Sequence, residues 1–139
     1  MAVLNLDPDF QRAHVWTPAQ QTAYIEYMLQ GGEVGRNITF NHTGWGGSYR
    51  GTFEIVDGKQ RIEAVRAFMR DEVTAFGRKF SEFEGRLNHT HNFRFRVTEL
   101  QTRAEILRLY LNINAGGTPH TDEELDRVRA LLAAEEVTA

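Results

Sequence analysis

Cysteine is missing altogether from the 139 residues. Its absence excludes disulfides, thiolate metal sites and a cysteine nucleophile. Also missing is any run of about 18 apolar residues, so no membrane-spanning helix is expected. The N-terminus lacks the basic-then-apolar layout of a signal peptide, which makes the cytoplasm the expected location. Nor is there an excess of positive charge. The net charge is −3, which argues against wholesale electrostatic binding to nucleic acid. No repeat, linker or low-complexity tract interrupts the chain. What remains is ordinary for a globular protein: 41% hydrophobic and 25% charged residues, in a chain long enough for one domain, residues 1–139, with a real core.

The charge is unevenly spread. From Pro119 onward six acids stand against two arginines, which leaves 14 basic and 13 acidic residues in 1–118. A local basic face is compatible with that balance. Arg61, Arg66 and Arg70 fall on one expected helix, and Arg94 and Arg96 on one face of an expected strand. Solvated surface cations are the plainer reading of most of them.

Residues 1–16 read as extended. Thr17-Pro18-Ala19-Gln20 is a helix start, with a threonine cap, proline at the first helical position and glutamine three after the cap. That helix is expected to reach about Gln30 and stop at Gly31-Gly32. Residues 37–40 read as a short strand. Residues 41–51 form a glycine-rich hairpin loop around Trp45 and Tyr49, aromatics that can either stack on a base or cap the core edge. A strand over 52–56 leads into a helix over about 59–70, with Ile62, Val65, Phe68 and Met69 as its buried face. Residues 73–76 and 79–83 are expected to pair as short strands around Gly77. Phe93, Phe95 and Val97 alternate with Arg94, Arg96 and Thr98 at the period of a half-buried strand. Thr102 with Glu105 starts a helix that buries Ile106, Leu107 and Tyr110 and ends near Asn112. Thr121 with Glu124 starts the last helix, with Leu125, Val128, Leu131 and Leu132 on its apolar face. The expected class is α+β in a single domain, with a small mixed sheet and about four helices.

The most informative stretch is Asp57-Gly58-Lys59-Gln60-Arg61, directly after the strand. A strand that runs through a glycine turn into a helix presents backbone N–H groups at the positive end of the helix dipole. Gly58 permits close approach of a ligand to the backbone. Arg61 offers a planar cation that can hold two phosphate oxygens. Lys59 adds charge. Asp57 can hold Mg²⁺ directly or through water, because magnesium favours a carboxylate together with phosphate oxygens. Asp-Gly is also a common turn dipeptide, and an Asp there can simply bond its own backbone.

Two further motifs flank this corner. Phe10-Gln11-Arg12 leads to Val15-Trp16-Thr17 near the N-terminus. Asn112-Ile113-Asn114-Ala115-Gly116-Gly117-Thr118-Pro119 follows the third helix. The three motifs, in this order, resemble the N-terminal domain of the GmrSD-type restriction factors, a family with a D-G-Q-Q-R signature. That family looks like a branch of the ParB/sulfiredoxin superfold. The resemblance runs from about Leu4 to about Leu132. It implies that Gln11 and Arg12 face the same pocket as the corner, where a second arginine would help to neutralise a triphosphate. Asn112 and Asn114 become candidates for bonding a nucleobase, a ribose or the corner itself, or equally for capping. Lys59 stands where the family more often has glutamine, and His120 where it usually has an apolar residue. Long members carry a His-Me (HNH) nuclease module downstream, which is not found in this sequence. His89 and His91 form an H-x-H pair, but two ligands do not make a metal site, and no third is evident.

The expected function is a nucleotide-binding domain, an Mg²⁺-dependent NTPase linked to DNA restriction or phage–host conflict. In it Asp57, Gln60 and Arg61 are the catalytic candidates. Gln11, Arg12, Gly58, Lys59, Asn112 and Asn114 would hold the nucleoside triphosphate, and Asp57 the metal. The alternatives are a ParB-like DNA-nicking nuclease, a non-catalytic nucleotide-sensing or protein-interaction module, and phosphotransfer to a small molecule. The partners expected are a nucleoside triphosphate, DNA, and a nuclease or other protein, with no membrane.

Overall fold

The structure is a computed structural model, and it describes residues 2–11, 16–47, 51–83, 92–114 and 122–138. Among the described residues, four strands and four α-helices follow one another in the order β1 (Ala2–Asn5), α1 (Pro18–Leu29), β2 (Asn37–Asn41), β3 (Gly51–Asp57), α2 (Lys59–Met69), β4 (Arg94–Thr98), α3 (Arg103–Asn114) and α4 (Asp122–Thr138). The strands make one mixed sheet, so the class is α+β as expected. The chain gathers into two compact units. One comprises Met1–Ala13, Ile38–Asp57 and Phe95–Ala139, the other His14–Asn37 and Gly58–Arg94.

The first unit carries the sheet, in the order β1-β3-β2-β4. β1 runs parallel to β3, with Leu4 opposite Phe53, and β2 runs antiparallel to it with Phe40 opposite Ile55 and a register shift between Thr39 and Phe40. The β2–β3 pair is the expected hairpin. Its core gathers Phe10, Val56, Ile106, Leu107, Tyr110 and Val128, with Leu131 and Leu132 packed against it. The helical spacing of Ile106, Leu107 and Tyr110 lays one face of α3 on this core, as the sequence predicts. Phe10 and Tyr110 rings meet at 5.3 Å. Thr102 caps α3 by accepting from the Glu105 amide at 3.2 Å. The helix continues two residues past Asn112, to Asn114. The Thr121 start of α4 lies outside the described residues.

β4 departs from the half-buried alternation. It is the last strand in the sheet order, and its first three residues are exposed. Phe95 is 61% exposed, although its ring meets Phe40 at 5.8 Å. An edge strand has a neighbour on one side only, so period-2 patterning overstates how much of it is covered.

The second unit packs α1 against α2. The Thr17 capping box forms as expected, with Pro18 at the first helical position. The core contains Ile25, Met28, Ala64, Phe68, Val73 and Ala75. On α2 the buried positions are Lys59, Gln60, Ala64 and Phe68, not the expected set. Phe68 is common to both, but Ile62 and Val65 are only half-buried and Met69 is 58% exposed. The true stripe follows i, i+4 spacing from Gln60, so the helix is turned relative to the face its apolar residues suggest. Residues 73–83 do not form two paired strands either. Ala75 and Arg78 exchange backbone hydrogen bonds of 2.8 and 2.9 Å across a turn with positive φ at Phe76 and Gly77. The chain then closes into a 3-10 helix, Phe80–Phe83, whose phenylalanines set their rings edge-on to Phe68 at 5.5 and 5.8 Å.

Candidate functional site

In the first unit, Gln11 is bound to the end of β3 and Asp57 forms that end. The Gln11 side-chain amide donates to the carbonyls of both Ile55 and Val56, at 3.0 Å each. These bonds span 44 and 45 residues of sequence and fasten the N-terminal segment to the strand. The segment is held from the other side as well. Arg127 on α4 donates to the carbonyls of Asp9, Phe10 and Gln11, and Arg103 pairs with the Asp9 carboxylate. Arg103 and Arg127 thus tie the N-terminal segment to this unit, while Arg12 itself lies outside the described residues. Asp57 is the last residue of β3 and is half-buried. Asn112 is exposed on the last turn of α3, and Asn114 is that helix's final residue. The Gly116-Gly117-Thr118-Pro119 loop, His120 and the His89–His91 pair lie outside the described residues.

In the second unit, Gly58, Lys59, Gln60 and Arg61 form the start of α2. Gly58 occupies the N-cap position with φ 105°, a left-handed conformation that favours glycine, and no side chain caps the helix. The first turn carries no acid. The positive end of the helix dipole is therefore reinforced by Lys59 and Arg61 without an opposing carboxylate on that turn. Lys59 and Gln60 are buried, at 6% and 8% exposure. The Gln60 side-chain oxygen accepts the Trp16 amide at 3.2 Å, which fixes the orientation of its amide. Trp16 packs on Tyr24 with ring centroids 5.6 Å apart.

Arg61 is neither a solvated cation nor a cation turned wholly to a ligand. Its NH1 group donates to the Gly35 carbonyl and, at 2.9 Å, to the Asn37 carbonyl. Tyr24 donates its hydroxyl to the same Gly35 carbonyl at 3.1 Å. Burial raises the Tyr24 phenol above its ordinary value, and Arg61 and Arg36 pull it back part of the way. Gly35 has φ 80°, and a Cβ added there would stand 3.1 Å from Arg61 Cδ. The missing side chain lets the arginine stem run close against the backbone. Arg36, only 4% exposed, donates to the carbonyls of Gly32 (2.8 Å), Met28 (3.0 Å) and Asn92 (3.1 Å). Tyr24, Gly35 and Arg36 are the residues that motif reading missed. The only hint of them in the sequence is a Gly-Gly…Gly-Arg run directly after a helix.

Among the described residues no three His, Cys, Asp or Glu side chains come together as a metal site. Asp57 is a single carboxylate, a ligand type that holds Mg²⁺ only together with other oxygens such as those of phosphate and water. No helix of the described residues is long and apolar enough to cross a membrane.

No curated protein and no solved structure matches the chain. A family model described as GmrSD restriction endonuclease, N-terminal domain, matches residues 3–97. The match takes in the Gln11 segment, the strap around Gly35 and the whole Asp57–Arg61 corner, and it ends before the Asn112–Asn114 motif. With more than half of its length matched, including the D-G-x-Q-R corner, the chain belongs to the family of GmrSD restriction endonuclease N-terminal domains.

Proposed function

We propose that this chain binds a nucleoside triphosphate with Mg²⁺ at the first turn of α2, as the nucleotide-responsive part of a DNA restriction system. The observation that carries the reading is the start of α2 itself. A left-handed glycine opens the helix, no side chain caps it, its first turn has no acid, and Lys59 and Arg61 lie on that turn. Such a terminus favours an anion through its dipole and its cations. Arg61 contributes a guanidinium able to hold phosphate oxygens. Asp57, next in sequence to Gly58, is the carboxylate assigned to Mg²⁺, which would supply neutralising charge to the phosphate chain. Family membership supports the setting, with DNA and a nuclease as the partners, and the ParB/sulfiredoxin-like fold is part of the same proposal.

Hydrolysis by this site is the first form of the reading, with Gln60 and Asp57 orienting water or metal and Arg61 steadying phosphoryl charge. Binding without turnover is the second. It is favoured by the commitment of Arg61 NH1 to two carbonyls and of the Gln60 oxygen to Trp16. Phosphate release from ATP, GTP, CTP and UTP, with and without Mg²⁺, separates the two. Stabilisation of the protein by Mg·NTP together with phosphate release supports an NTPase. The same stabilisation without release supports a sensor, and no stabilisation by any of the four contradicts both.

A further inference from the structure

The donors that would serve a phosphate already serve the protein. Arg61 NH1 has two hydrogens, and both point at main-chain oxygens, those of Gly35 and Asn37. Residues 32–37 are also held by other bonds: the Gly32 amide donates to the Tyr27 carbonyl at 3.0 Å, the Arg36 carbonyl accepts from the Arg94 amide at 2.7 Å, and Arg36 donates to the Asn92 carbonyl at 3.1 Å. The Val34 amide donates to the Tyr27 hydroxyl at 3.0 Å, Tyr24 donates to Gly35, and Arg36 reaches back to Gly32 and Met28. The Arg61 bonds to the two carbonyls have one ionised partner, the guanidinium, whereas a bond to a phosphate oxygen would have two. A phosphate at the start of α2 therefore competes with the two carbonyls for the same group.

We infer that Arg61 is a latch shared between residues 32–37 and a bound phosphate, so that nucleotide binding releases this segment and the grip of the segment limits nucleotide affinity. The inference rests on the nucleotide-binding reading above. Its consequence is reciprocal, as any coupling between two equilibria must be. Loosening the segment tightens nucleotide binding, and nucleotide loosens the segment. Tyr24 is the handle for the first half. Its hydroxyl helps to fix the Gly35 carbonyl under Arg61 without itself belonging to the start of α2. A residue that merely supported the site would weaken binding when removed, whereas a residue that holds the latch shut would strengthen it.

The test is amide hydrogen exchange on the full chain with Mg·ATP, Mg·GTP, Mg·CTP and Mg·UTP, alongside calorimetric affinities for wild type and Tyr24→Phe. In wild type, a bound nucleotide should speed exchange in residues 32–37 by at least about tenfold, the effect of losing charge-assisted bonds to this segment. Tyr24→Phe should bind the same nucleotide several-fold more tightly. Nucleotide that binds while exchange in 32–37 stays unchanged or slows overturns the latch and leaves the function reading standing. Equal or weaker binding by a folded Tyr24→Phe also overturns it. No binding of any of the four to the folded wild type overturns both.

Discussion

Replacing Arg36 with alanine should remove a large part of the second unit's stability. The guanidinium is buried and donates to three carbonyls through its three nitrogens. The bond to Met28 is wholly buried and satisfies a carbonyl in the last turn of α1, where positive charge also complements the helix dipole. A charge-assisted bond of this kind contributes about 1.5–3 kcal/mol. The Gly32 and Asn92 carbonyls are partly open to water and can be rehydrated, so each contributes less, roughly 0.5–1 kcal/mol. The expected loss is about 2.5–5 kcal/mol, set against a total of about 5–15 kcal/mol for a domain. The assay follows from the composition. The chain has two tryptophans, Trp16 in the second unit and Trp45 in the first. In a Trp45→Phe background, urea unfolding followed by Trp16 fluorescence reports the second unit. The midpoint should fall by roughly 2 M for Arg36→Ala. Arg36→Lys, which can reach one carbonyl but not three, should fall about half as far. A shift below about 0.5 M for the alanine variant would refute the ledger, because it would mean that water replaces all three bonds at almost no cost.

Three other expectations follow from named contacts. Asn41 is 2% exposed; its side-chain oxygen accepts from the Leu100 amide at 2.8 Å and the Thr98 hydroxyl at 2.9 Å, and its amide donates to the Leu100 carbonyl. Asn41→Ala should cost about 2–3 kcal/mol, read by Trp45 fluorescence in a Trp16→Phe background. The raised Tyr24 phenol gives stability that is complete below its ordinary pKa of 10.0 and lost as pH rises through the folded value. Unfolding midpoints above pH 10 should therefore fall in wild type and flatten in Tyr24→Phe. Asp71 shows the opposite sign. The Ser81 amide, at 3.1 Å, holds its carboxyl below the ordinary value of 3.8, so its contribution is present above that pH and lost as pH falls through the folded value. Asp71→Asn should be less sensitive to acid than wild type over that range.

How much of this was legible in the sequence depended on the range of the contact. Thr17, Pro18 and Gln20 specify a capping box within four residues, and it forms. The apolar run 52–56 and the glycine after Asp57 specify a strand entering a helix, and they do so. The buried face of α2 was misread because apolar spacing ignores a buried glutamine whose partner, the Trp16 amide, lies 44 residues away. Phe95 looked half-buried because alternation says nothing about whether a strand lies at an edge. The fastening of Gln11 to Ile55 and Val56, and of Arg61 to Gly35 and Asn37, pairs residues that no local pattern connects. The motifs thus marked the positions, and the structure supplied what those side chains hold.

Calorimetric titration of the four Mg-nucleotides into wild type and Arg61→Ala is the most direct test of nucleotide binding at the start of α2. The account predicts saturable, Mg²⁺-dependent binding of at least one nucleotide to wild type, weakened by at least about tenfold in Arg61→Ala for the loss of a charge-assisted contact. Equal affinity of the two proteins, or no heat from any of the four with folded wild type, would contradict it.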